Sequence, residues 1–265
     1  MKKILFLFLL IFVIAPIILL GFLGFVPGLS TLMGTDRPRD LGIKYTAEDL
    51  KSCRSKSQVV YNTSLPTTTD PIQSVKYVGK REVTQDFTSQ ELTASMNNQP
   101  WGNWPYKNAQ LKFNTDGTGE ISGVLIKSKV PGYAIKIGAP AEAANFAMKF
   151  LPNDPIFYVK MKATLKDNKV DIFEPQDFQI GRISMPLNLF LAFKGPKIIN
   201  QVLAQDIGQM AKELTQVKNK KSLIINYING RLTNGFGSFY AKSAYFKDNA
   251  VSFDGTLSET IYYSP

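Results

Sequence analysis

The residues of this chain that could do chemistry are few, and their types exclude most reactions. Its 265 residues contain no histidine and one cysteine, Cys53. Without imidazole, the commonest general base, the commonest metal ligand and every Ser–His or Cys–His nucleophile pair are missing. Zinc sites built on cysteine and histidine are excluded for the same reason. A single cysteine also rules out an intramolecular disulfide framework. Carboxylate-only chemistry would have to use Asp154, Asp167, Asp171, Glu174 and Asp177. These acids fall where hairpin turns and strand ends are expected, which is where solvated carboxylates ordinarily sit. The expectation is a protein that is not an enzyme, with no catalytic residue, no metal and no cofactor.

Binding chemistry is better represented. Trp101, Trp104 and Tyr106 gather both tryptophans of the chain into one short stretch. Such rings are enriched at membrane–water interfaces, so the three are candidates for a membrane-interface foot. The competing reading is that they plug one end of the core. Ile199, Leu203, Ile207, Met210, Leu214 and Val217 recur at helical spacing, and Ile198 and Val202 widen the stripe. Phe190, Phe193, Ile199, Val202, Leu203 and Met210 are the candidate lining of a lipid groove; an apolar stripe of this kind also serves as ordinary core. Gly235, Phe236, Gly237, Phe239 and Tyr240 form a glycine–aromatic edge that suits either a groove mouth or strand bends. Lys218, Lys220 and Lys221 follow the stripe, where a helix dipole favours cations.

The elements that would position these residues begin with a run of 23 uncharged residues, Ile4 to Val26, directly behind Lys2 and Lys3. Roughly 20 apolar residues suffice to cross a bilayer core. Residues 1–26 therefore read as an N-terminal transmembrane helix, residues 27–45 as a juxtamembrane linker and residues 46–265 as one α+β domain. The alternative is a cleaved signal peptide, but its apolar stretch usually runs about 7–15 residues, and the one site resembling a cleavage site, Gly28-Leu29-Ser30, follows Pro27. Lys2 and Lys3 favour a cytoplasmic N-terminus and an exported domain, while Arg37, Arg39 and Lys44 oppose it; the N-in, single-pass cell-membrane topology is the one adopted.

The net charge of +10 makes anionic lipid headgroups a natural partner, at about 1 kcal/mol per well-placed cation. A plain solvated basic surface is the alternative. Nucleic acid is not expected, because no helix-turn-helix, RNA-recognition or zinc pattern is present.

Local signals predict an antiparallel fold with few helices. Thr46 with Glu48 and Asp49 reads as a helix start. Thr88 and Glu91 have capping-box spacing, and Phe87 with Leu92 fits the accompanying hydrophobic staple, so a helix runs to about Asn98. Strands are expected at about 73–86, on both sides of the Asp116-Gly117 turn, on both sides of Asp167-Asn168, and at about 178–183. Short helices are expected at Ala141–Leu151 and Leu187–Phe193. Three strands, Leu223–Ile228, Phe236–Phe246 and Ala250–Ile261, would close the chain. Turn-aligned passages at Phe113, Leu165 and Phe246 read alike, either as a duplicated helix-plus-hairpin unit or as the ordinary product of a meander. Long strands with one apolar face need a filler, and the helix at 197–217 offers a matching stripe. The expected architecture is thus a curved antiparallel sheet wrapped on a long amphipathic helix.

The order of anchor, Thr88-Ser-Gln-Glu-Leu-Thr-Ala94, Phe113 to Asp116-Gly117, Ile180-Gly-Arg-Ile-Ser-Met-Pro186, long helix and Phe246-Lys-Asp-Asn to Phe253-Asp-Gly-Thr-Leu257 resembles the YpmS-like group of single-pass bacterial envelope proteins. It is more distantly similar to the tubular lipid-binding proteins, in which a curved sheet wraps a helix. The likeness covers about residues 80–260 and rests on order and pattern. It implies an exported domain with an apolar groove for acyl chains, membrane lipid and envelope proteins as partners, and no catalytic residue. The function expected is a membrane-anchored module binding a lipid or other amphiphile; the alternative is a ligand-free envelope scaffold or interaction domain.

Overall fold

The computed structural model describes residues 14, 16–139, 141, 145, 148–149, 151–184, 220–234 and 237–264. Over these residues the chain is α+β, built on an antiparallel sheet curled into a half-barrel. Its strands are β3 (Arg81–Thr88), β4 (Tyr106–Phe113), β5 (Thr118–Leu125), β6 (Ile156–Lys166), β7 (Lys169–Ile180), β8 (Ile183–Ser184), β9 (Tyr240–Lys247) and β10 (Ala250–Leu257). A second sheet has the order β1 (Val60–Asn62), β11 (Thr260–Tyr263), β2 (Val75–Val78), with β1 parallel and β2 antiparallel to β11. Among the described helices are α1 (Pro27–Leu32), α2 (Ala47–Ser57), α3 (Ser89–Asn97), α4 (Val130–Lys136) and α5 (Lys220–Asn234).

Two chain segments belong to both sheets. β3 and β10 pair from Thr88↔Ala250 to Arg81↔Leu257. The same segments pair again, in the same register, as β2 and β11 from Val78↔Thr260 to Val75↔Tyr263. The ladder breaks only at a corner formed by Gly79-Lys80 and Ser258-Glu259. Gly79 has φ +74°, and a Cβ there would lie 2.5 Å from the Glu259 carboxylate, so the corner calls for glycine. Ser238 fastens it: its hydroxyl donates to the Gly79 carbonyl, and its own carbonyl accepts from Thr256 Oγ1 at 2.8 Å. The sequence predicts one strand over 73–86; the corner makes it two.

β6 is where the large sheet branches. It pairs with β7 along its length, with β5 over 156–162 and with β9 over 164–166. A strand has two edges, so β5 and β9 share one of them in succession. Phe246 of β9 lies across Gly119 of β5 and stacks on Phe113 at 5.2 Å. The hairpin turns are those expected. Asp116 accepts from the Thr118 amide and hydroxyl, and Asp167 and Asn168 both take positive φ, as a type I′ turn requires. β7 passes through Pro175, where the register with β6 is irregular, and among the described strands only the two-residue β8 pairs with the other edge of β7.

Both helix starts carry complete capping boxes, Thr46 with Asp49 and Thr88 with Glu91. Helix α3 also protects a sheet edge. Ser89, Thr93 and Asn97, one helical turn apart, accept from the amides of Phe113, Leu111 and Ala109 on β4 at 3.1, 2.9 and 2.9 Å. Hydroxyl and amide groups thus stand in for a missing strand, and no bare edge is left there. Phe87 and Leu92, the expected staple, join Cys53, Val83, Ala241 and Phe253 in one core cluster.

The N-terminal part differs from expectation. Of the proposed anchor, residues 1–13 and 15 lie outside the described residues. Residues 16–22 are helical, but the helix stops before Val26, and Gly24 with φ +88° turns the chain away. Among the described residues no helix is long and apolar enough to cross a membrane. The carbonyl of Gly21 is capped by Ser30 Oγ at 2.9 Å and Thr35 Oγ1 at 2.8 Å. Residues 34–43 are held down on the domain. Arg182 donates to the carbonyls of Gly34 and Arg37, Arg39 stacks 3.8 Å over the Tyr158 ring, and Gln110 Oε1 accepts from Leu41 and Ile43.

Residues 223–228, expected as a strand, lie instead in helix α5. The apolar positions Ile224, Ile228 and Leu232 are spaced by four, which is a helical period hidden inside a short β-branched run. Of the expected helix at Ala141–Leu151, residues 141, 145 and 148 are helical, 149 and 151 are not, and the rest lie outside the described residues. The long helix expected at 197–217 and the short one at Leu187–Phe193 also lie outside them.

Candidate functional site

The corner between the two sheets opens a cavity of about 530 Å³. The curled sheet contributes Phe87, Val251, Phe253 and Leu257; the small sheet contributes Tyr61, Val75, Tyr77, Ile261 and Tyr263. Cys53 of α2, Leu92 and Ser95 of α3, Tyr133 and Lys136 of α4 and Leu232 of α5 close the sides. The lining is aromatic and aliphatic with a few polar groups, in the roughly 300–1,000 Å³ range typical of small-molecule sites.

One wall is a block of rings. The Trp101 indole N–H donates to Ser74 Oγ at 2.9 Å, and that of Trp104 donates to the Met96 carbonyl at 2.7 Å. Tyr133 meets Trp101, Trp104 and Tyr106 at centroid distances of 5.8, 5.7 and 5.5 Å, and Tyr106 leans on Phe157. Edge-to-face contacts of this kind add to ordinary burial. Tyr263, packed in the same cluster as Trp101, stacks on Tyr61 at 6.1 Å. A small polar end lies there: Tyr263 OH donates to Gln99 Oε1 at 3.2 Å, and Gln99 Nε2 donates to the Ser95 carbonyl.

Burial sets the charge state of these groups. It pushes the Tyr77 hydroxyl up to about 12 and raises Tyr106, Tyr263 and Tyr61 as well. It also pushes the Cys53 thiol up, only partly offset by a hydrogen bond from Ser95. At neutral pH the hydroxyls are neutral and the thiol is not a thiolate, so it is a poor nucleophile. Burial pulls Lys136 down, with the charge of Asp70 opposing. Its ammonium donates to the carbonyls of Ile72 at 2.8 Å and Val75 at 2.9 Å, 5.6 Å from the Tyr77 ring centre. Chemically, the cavity can exclude water from an apolar body and offer it neutral hydroxyls and one cation.

Comparison with protein-family models, with curated proteins and with solved structures finds no counterpart to this chain. The residues themselves are therefore the ground for function.

Of the residues singled out by sequence, Trp101, Trp104 and Tyr106 do come together. Trp101 is 5% exposed, and it and Trp104 line the cavity. Phe190, Phe193, Ile199, Val202, Leu203 and Met210 lie outside the described residues, as do Lys218, Gly235 and Phe236. Lys220 and Lys221 belong to α5; Phe239 reaches the cavity and packs on Phe253 at 5.8 Å. Three of the five suspect carboxylates have separate side-chain partners. Asp154 pairs with Lys107 at 2.7 Å, Asp171 accepts from Thr164, and Asp177 accepts from Gln179. Among the described residues no group of three or more His, Cys, Asp or Glu could hold a metal ion. Sequence pattern does not single out Lys136, Tyr61, Tyr77 or Tyr263, which also line the cavity. Their one sequence signal is a tyrosine in each of three short strands, far apart in the chain.

Proposed function

We propose that this chain is a membrane-anchored binding module that holds one amphiphile in the cavity between its two sheets, with the domain outside the cytoplasmic membrane. The cavity carries this reading: about 530 Å³ of space walled by rings and aliphatic side chains. Transfer of a chain from water into such a space contributes roughly 0.8 kcal/mol per CH₂. The anchor rests on the uncharged run behind Lys2 and Lys3. The well-tied residues 34–43 would keep the domain at a short, fixed distance from the bilayer that supplies the ligand. The resemblance to YpmS-like envelope proteins points the same way. The proposed site is built by α2, α3 and the two sheets, while Phe190 and Met210 lie outside the described residues.

Native mass spectrometry of the full chain released from a membrane extract, followed by organic extraction, tests the proposal. One amphiphile retained per chain is expected. A clean apo mass, with no uptake on incubation with anionic or neutral vesicles, would overturn it and leave a scaffold domain.

A further inference from the structure

We infer that the amphiphile is a long-chain carboxylate and that Lys136 receives its head; this rests on the cavity reading above. Lys136 is the one charged side chain among the described lining residues. An ammonium has three N–H groups. Two of them donate to the Ile72 and Val75 carbonyls, which fix the side chain against the Tyr77 ring. The third has no partner among the described residues. Asp70 acts on the amine through its field alone, and its carboxylate is turned to the Ile72 amide at 2.9 Å.

The ammonium is half-exposed and held by two neutral acceptors, so an anion brought in with an apolar tail can replace water at the remaining N–H. One remaining N–H matches one carboxylate oxygen. A phosphomonoester dianion would bring a second negative charge that no second described cation in the cavity meets. Tyr77, whose ring centre lies 5.6 Å from the ammonium, carries a neutral hydroxyl that suits the second carboxylate oxygen.

Both tryptophans of the chain line the cavity, so their fluorescence reports its contents. The full chain in phosphatidylcholine nanodiscs is titrated with dibromostearate and with dibromostearyl alcohol, at a pH where the acid is ionised. The acid is expected to quench with about tenfold higher affinity than the alcohol, the ordinary worth of one charged hydrogen bond. Lys136→Gln should erase that preference without weakening the alcohol, and Lys136→Arg should keep it. Equal affinity for both probes in the unaltered protein overturns the headgroup assignment while leaving the cavity reading intact. So does a Lys136→Gln variant that weakens both probes alike, which would make Lys136 a clamp on residues 72–75. No quenching by either probe overturns the cavity reading itself.

Discussion

Trp101→Ala is expected to destabilise the protein by about 4 kcal/mol, within the range seen when large buried aromatics are truncated. The ring is 5% exposed and packs with Val75 and Tyr263 in the cluster on the small-sheet side of the cavity. Its N–H bond to Ser74 ties the turn after α3 to the approach to β2. Truncation leaves a void beside a cavity that already exists, so the neighbours have little to collapse onto. Trp101→Phe keeps most of the packing and loses the indole N–H, and should cost about 1–2 kcal/mol. Urea unfolding of both variants measures the difference. A Trp101→Ala loss below about 1 kcal/mol would mean that the ring block is not part of the folded core.

Glu91→Gln is expected to cost about 2–3 kcal/mol at neutral pH, toward the low end for breaking one partner of a buried ion pair. Glu91 is 4% exposed. Its carboxylate accepts from Lys56 Nζ at 2.7 Å, from the Ser52 hydroxyl, and from the Thr88 amide at 2.8 Å. Glu91 therefore closes the α3 capping box and joins α2 to α3. The Lys56 side chain is 30% exposed, so water screens part of the pair. Burial by itself would raise the Glu91 carboxyl, but the Lys56, Ser52 and Thr88 interactions outweigh it and hold the group below the usual carboxylate range. A depressed folded pKa contributes stability that is complete above the unfolded value and is lost as pH falls through the folded one. The gap between Glu91→Gln and the unaltered protein should therefore be full at pH 7 and shrink below about pH 4. Urea midpoints across that range measure it, and a pH-independent gap would contradict the assignment.

Sequence reasoning reached the parts of this fold that are locally encoded. Thr46 and Thr88 cap as their spacing predicts, because the capping box is made within four residues. The Asp116-Gly117 and Asp167-Asn168 turns follow from residues that accept positive φ. Features that depend on distant partners were not legible. The corner at Gly79 is visible only once residues 75–88 are paired with 250–263. The helical identity of residues 223–228 was masked by their β-branched composition. The cavity is harder still, because it is an absence created by the bend and lined from nearly every element. Trp101 and Trp104 were recognised as a cluster, yet whether such rings face a bilayer or a protein cavity depends on the corner. Lys136 carries no local signal, since one lysine among 31 basic residues is distinguished only by what it touches.

The most direct test of the central claim is photolabelling of the full chain with a diazirine-bearing long-chain fatty acid, followed by peptide mapping. Adducts on the cavity wall, at Leu92, Ser95, Trp101 and Val251, are predicted, with loss of labelling when excess unlabelled fatty acid is present. Labelling confined to residues 1–26, or spread over the surface and indifferent to competitor, would contradict the account.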